Sequence, residues 1–210
     1  MPERLTRELG IPITQTSFLL RSGSDAYIFL DYPSTELGII EKHLRDAAGA
    51  RHIFVVVHTP VFPFDSAKYW WWFLFGSRKD ARAEERRAVR QMLASRTAIV
   101  LCGHTHKTEL LDWYGDGGRI TQMTMSSVWA KADQGTYKEK ASGAEGYGAL
   151  NAAKDGNAPV RAIFDEYRQG IRRYSWADAA GSYKLCVDDG VLVDFYAGSS
   201  PRCSKRFKLR

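Results

Sequence analysis

The residues best placed to do chemistry are three histidines at the ends of two apolar runs. His58 closes HIFVVVH and is followed by Thr59 and Pro60. His104 and His106 follow TAIVLC and Gly103, in the stretch IVLCGHTHK. Neutral imidazoles are common ligands for divalent metals. Residues two apart in an extended segment face the same side, so His104 and His106 are expected to point into one site. Gly103 is expected to let the backbone turn sharply and approach a ligand closely. The other two histidines, His43 on a helix flank and His52 at a strand start, read as structural.

Elements must bring these rings together. HIFVVVH and TAIVLC (97–102) are short, unbroken and rich in Val and Ile, which suits strands buried on both faces. Loops at the carboxyl ends of adjacent strands form the usual ligand crevice in open α/β sheets. ITQTSFLL (13–20) and AYIFLDY (26–32) read as strands around the turn-like RSGSD. A helix is expected from Pro33 and Ser34, with Ser34 as its N-cap and Leu37, Ile40, Leu44 and Ala48 at helical spacing until Gly49. RKDARAEERRAVRQMLASR (78–96) reads as a charged helix with a partial apolar side. TELLDWY and RITQMTM flank GDGG and predict a β-hairpin. Residues 131–158, rich in Gly, Ala, Lys and Asp, lack a sustained period and predict a long loop. KLCVDDGVLVDFY (184–196) predicts a second hairpin turning at Asp188, Asp189 and Gly190. Strand, helix, strand, helix, strand followed by hairpins predicts one layered α/β domain over 1–210, with closing strands at about 182–197.

Composition narrows the classes. The chain has 210 residues, 44% hydrophobic and 26% charged, inside the range of a globular domain. No apolar run approaches the roughly 18–20 residues of a membrane span. MPERLTRELG lacks the apolar stretch of a secretory signal, so cytoplasmic residence is the default expectation. Cys102, Cys186 and Cys203 have no CxxC spacing and read as free thiols. The net charge of +6 is partly local: RCSKRFKLR at 202–210 carries five cations and no acid, and reads as a solvated end. No nucleic-acid recognition motif accompanies it. GxSxG, GxxxxGK[ST] and GxGxxG are all absent, which argues against a serine hydrolase and nucleotide-binding loops. Thr108 and Glu109 break the HxHxDH pattern of metallo-β-lactamase-like hydrolases, and 210 residues are too few for an amidohydrolase barrel.

FVVVHTPVFPF followed by IVLCGHTH resembles the second half of a calcineurin-like metallophosphoesterase, over about residues 14–125. IFLD (28–31) resembles the family's upstream strand ending in LD. The resemblance implies a layered α/β/β/α sandwich and hydrolysis of phosphomono- or phosphodiester bonds at two divalent ions (Mn, Fe, Zn or Ni). It implies that His58 and His104 bind one metal and His106 the other. The family's DxH, GDxxD and GNH motifs have no counterpart here: Gly156-Asn157 continues as Ala-Pro, and Gly115-Asp116 follows the histidines. The chain thus corresponds to a carboxyl-terminal portion. Three imidazoles without a bridging carboxylate hold two dications about 3.5–4 Å apart poorly, so at most one ion and weak or absent activity are expected. A non-catalytic metal-binding or interaction remnant is the alternative. A missing half implies an uncovered apolar face and therefore a complementing amino-terminal half or self-association.

Secondary candidates are few. Trp70, Trp71 and Trp72, beside Tyr69 and Phe73, are expected to pack in the core or a lid, or to form a wall of the substrate cleft or a partner surface. Asp65, Asp112 and Asp116 are possible replacement ligands.

Overall fold

The computed structural model describes residues 2–10, 15–32, 35–64, 74–75, 82–115, 117–126, 136–149 and 158–210. In chain order its elements are α1 (Pro2–Leu9), β1 (Phe18–Ser22), β2 (Asp25–Leu30), α2 (Leu37–Asp46), β3 (Ile53–Val57), α3 (Ala83–Ser95) and β4 (Ile99–Cys102). There follow β5 (Thr108–Gly115), β6 (Gly118–Thr124), β7 (Glu139–Ser142), α4 (Gly143–Gly146), α5 (Ala158–Arg168), β8 (Ile171–Ala177), β9 (Gly181–Val187), β10 (Val191–Ala197) and β11 (Lys205–Lys208).

Eight strands form one mixed sheet in the order β1-β2-β3-β4-β6-β5-β8-β7. Its centre is parallel: β2 pairs with β3, β3 with β4 and β4 with β6 in that sense. The outer pairs are antiparallel. A second, antiparallel sheet has the order β11-β10-β9.

Alternation along the central strands builds two cores. Val55, Val57, Val100 and Cys102 face the helices, where Ile40, Leu44, Val89, Leu93, Phe164 and Tyr167 cover them. Phe54, Ile99 and Leu101 face the other way, against Val191, Val193, Phe195 and Phe207 of the small sheet. Each such side chain taken from water contributes roughly 1.5–3 kcal/mol. The expectation of strands buried on both faces is met along most of β3 and β4, with Val56 only partly covered. The fold class is α/β with two packed sheets. Among the described residues helices flank only the larger one.

Several local expectations shift. The helix expected from Pro33 is α2, which begins at Leu37 with Glu36 as N-cap and ends at Asp46, not at Gly49; Ser34 lies outside the described residues. Part of the expected loop at 131–158 is ordered as β7 and α4. The basic tail is not a solvated end. Its residues Lys205–Lys208 form β11, and Phe207 and Leu209 are buried. No described helix is long and apolar enough to cross a membrane. All three cysteines are free thiols, with Cys102 buried and Cys203 exposed.

Candidate metal centre

His58 is the first residue beyond β3, and His104 is the second beyond β4. Because those strands are parallel neighbours, both rings emerge at the same sheet edge. The His58 Nε2 and His104 Nδ1 atoms are 3.2 Å apart. The ring planes stand at 80° with centroids 5.1 Å apart. The Gly103 N–H donates to the His58 carbonyl at 3.0 Å, tying the two loops together.

The loop after His58 is pinned by a side chain that sequence reasoning did not single out. The buried Gln122 amide oxygen accepts from the Val61 and Phe62 N–H groups, each at 2.9 Å, and its NH2 donates to the Phe62 carbonyl at 3.0 Å. Tyr147 adds a bond from its hydroxyl to the Pro63 carbonyl at 2.9 Å. Its strand, GRITQMT, is mostly polar in sequence, so no local pattern marked Gln122 as buried; buried amides are retained where their hydrogen bonds are satisfied.

His106 is placed differently from the expectation. The segment is not extended: His104 and His106 both adopt left-handed backbone, with φ of 70° and 56°. Such conformations cost of order 1–3 kcal/mol for a non-glycine residue and cluster at functional sites. His106 is exposed, whereas His104 is half-buried. The turn at Gly103 does not itself require a glycine. A Cβ there would make ordinary contacts of 3.7 and 3.8 Å, and the unusual φ values fall on the histidines instead.

Burial holds the His104 pKa below the usual imidazole range, and the nearby His58 and His106 act in the same direction. His104 is therefore neutral near pH 7, the form a metal requires. Burial also lowers His43 and His52. A histidine with a depressed folded pKa contributes stability above its unfolded value of about 6.5, and that contribution is lost as pH falls through the folded pKa. The urea midpoint should accordingly drop between pH 7.5 and pH 5.5, and by less in His104→Gln. Equal midpoints at the two pH values would contradict this reading of the three histidines.

Two ligand nitrogens about 2.0–2.1 Å from one tetrahedral ion lie roughly 3.3 Å apart. The His58–His104 separation of 3.2 Å is that of a ring-to-ring hydrogen bond and also falls at that spacing. Among the described residues, however, no group of three or more His, Cys, Asp or Glu is arranged to hold a metal ion. Among the described residues two imidazoles stand within reach of one ion, and no further ligand for a binuclear centre accompanies them. Asp112 is no replacement ligand. It lies at the far end of β5, ion-paired to Arg119 at 2.8 Å and to Arg173 at 2.6 Å. Asp65, Asp116 and the Trp70, Trp71, Trp72 cluster lie outside the described residues.

Asp31, the residue after β2, stands beside His58, because Leu30 is paired with Val57 across the two strands. Its N–H donates to Ser17 Oγ at 2.9 Å. Asp31 and His58 close one end of an open groove of about 820 Å³, whose walls include Phe18, Phe29, Val56 and Met125. This is the part of the large sheet that the three-stranded sheet leaves uncovered.

No family model matches the chain, and no curated protein matches it. Solved structures do. One is a purple acid phosphatase from yellow lupin (Lupinus luteus) seeds, with a TM-score of 0.52 and 12% identity. That match covers 91% of this chain and 32% of the phosphatase, so the chain spans about a third of its length. Another is GAP50, the anchor in the inner membrane complex of Plasmodium, with a TM-score of 0.44, 11% identity, and coverage of 92% and 53% respectively. The lupin match shows that this chain has a phosphoesterase-like fold.

Proposed function

We propose that this chain is the metal-site half of a calcineurin-like phosphoesterase domain. When complete, that domain hydrolyses phosphomono- or phosphodiester bonds with divalent ions. The observation that carries this reading is the His58–His104 pair, 3.2 Å apart at the ends of adjacent parallel strands. A fold shared with a phosphatase supports it. The two imidazoles hold at most one ion, of Mn, Fe, Zn or Ni, and the chain alone is weakly active or inactive. In the complete domain His106 would serve the second ion. The uncovered groove beside His58 takes a complementing half or a second copy.

The absence of a third ligand among the described residues favours a second reading, a non-catalytic metal-binding remnant. Equilibrium dialysis against Zn2+ or Mn2+, run beside turnover of bis(p-nitrophenyl) phosphate, separates the two. The proposed half-domain retains one ion, gives little or no turnover alone and gains turnover on adding a complementing half. The remnant retains an ion and gains no turnover. Two tightly held ions with robust hydrolysis would overturn the idea of an incomplete centre, and no retained ion would remove the metal site altogether.

A further inference from the structure

The basic tail that sequence analysis left without a function is folded into a second site. Strand β11 is the outer strand of the small sheet and faces β8 of the large one, with the Arg173 guanidinium donating to the Lys208 carbonyl at 2.9 Å. Between them runs a cleft of about 430 Å³. Arg172, Arg173, Lys205, Arg206 and Lys208 line it, against a single carboxylate, Glu139. It lies apart from the histidines, because β6 and β5 separate β8 from β4.

Three of these cations have carboxylate partners: Arg173 with Asp112 at 2.6 Å, Lys205 with Glu139 at 3.3 Å and Arg206 with Asp194 at 2.6 Å. Among the described residues no carboxylate pairs with Arg172 or Lys208, and both are exposed. Arg172 instead donates to the Gln169 carbonyl at 3.1 Å. The surplus extends behind the cleft. Arg119 shares Asp112 with Arg173, and Arg210 donates to Thr121 Oγ1 at 3.0 Å, next to the same carboxylate. Burial, together with the field of Arg119 and Arg173, lowers the Arg210 pKa to about 10. Several guanidinium groups thus crowd one acid in a half-buried setting, where an added anion gains more than it would in open solvent.

We propose that this β8–β11 cleft binds a linear oligophosphate, a chain of three or more phosphates without bases. Its phosphates would bridge the two strands, between Arg172 and Arg173 of β8 and the cations of β11 that line the cleft. The lining favours such a chain over a single-stranded nucleic acid. Base stacking needs open aromatic faces, and the two rings at the cleft, Tyr174 and Phe207, are 1% and 3% exposed.

The test is calorimetric titration of the full chain with sodium tripolyphosphate in 50 mM and 200 mM salt. Saturable binding is expected, weakening at the higher salt. The double variant Arg172→Glu with Lys208→Glu should weaken it by about tenfold or more per reversed charge. Circular dichroism checks that this variant keeps its fold. Arg7→Glu with Arg45→Glu, an equal change of net charge on exposed positions of α1 and α2, should leave binding within a few-fold of the parent. No binding at 50 mM salt would overturn the proposal. So would equal losses in both double variants, or orthophosphate binding as tightly as tripolyphosphate. Tighter binding of a short oligo-dT of matched charge would reassign the cleft to nucleic acid and equally overturn it.

Discussion

His104→Ala is expected to lower the affinity of this chain for Zn2+ by more than about 100-fold. Removing a group that merely orients a ligand costs 10–100-fold in metal affinity, and His104 is one of two nitrogens set at ligand spacing. His58→Ala should behave alike. His106→Ala should cost less than either, because that ring is exposed and belongs to no three-ligand group among the described residues. Equilibrium dialysis at pH 7.5 reads all three. Equal losses at His58, His104 and His106 would mean that the third imidazole swings in when an ion arrives. Unchanged retention in His104→Ala would place the ion elsewhere. Asp31→Ala then becomes the informative variant, because that carboxylate borders the same groove.

Phe195→Ala is expected to reduce folding stability by about 3–5 kcal/mol, within the range for emptying a buried aromatic site. Phe195 is fully buried in the middle of β10. Its ring meets Tyr183 at 5.0 Å and Tyr137 at 5.9 Å between centroids. Small-sheet residues that cover Phe54, Ile99 and Leu101 lean on it. A domain is typically stable by only about 5–15 kcal/mol, so this single change removes a large share. Arg206→Ala, one residue into the neighbouring strand, supplies the contrast. Its partner Asp194 is well buried, but the arginine itself is 63% exposed, so the loss should be small beside that of Phe195→Ala. Urea denaturation with a common m-value measures both. A Phe195→Ala midpoint close to the parent's would mean that the small sheet contributes little to holding the fold.

Much of the site's frame was legible because its strands are buried on both faces. HIFVVVH and TAIVLC have no polar side to confuse the period, and both fold as read, at β3 and β4. The hairpins are equally direct, since turn residues sit between two β-favouring runs and the strands pair antiparallel as expected. Helix α5 and strand β8 were not read from the sequence, although Ile163, Phe164 and Tyr167 carry a helical spacing and all three are buried. Strand β8 is harder: its burial does not alternate, because helices and the small sheet both cover parts of it. The tail misled because charge dominates its composition. Only Phe207 and Leu209, two apart, betray a strand with one buried face. At the site, spacing alone named the histidines but not their backbone. The left-handed backbone at His104 and His106 is announced by no local pattern, since neither position is a glycine.

The small sheet also governs the order in which the molecule can mature. Its strands come from residues 181–208, whereas the apolar side chains beneath them include Phe54, Ile99, Leu101 and Met123. A ribosome adding about 5–20 residues each second leaves those side chains waiting for several seconds after their own strands have emerged. During that interval the nascent chain offers a greasy surface to chaperones and to its neighbours on the polysome.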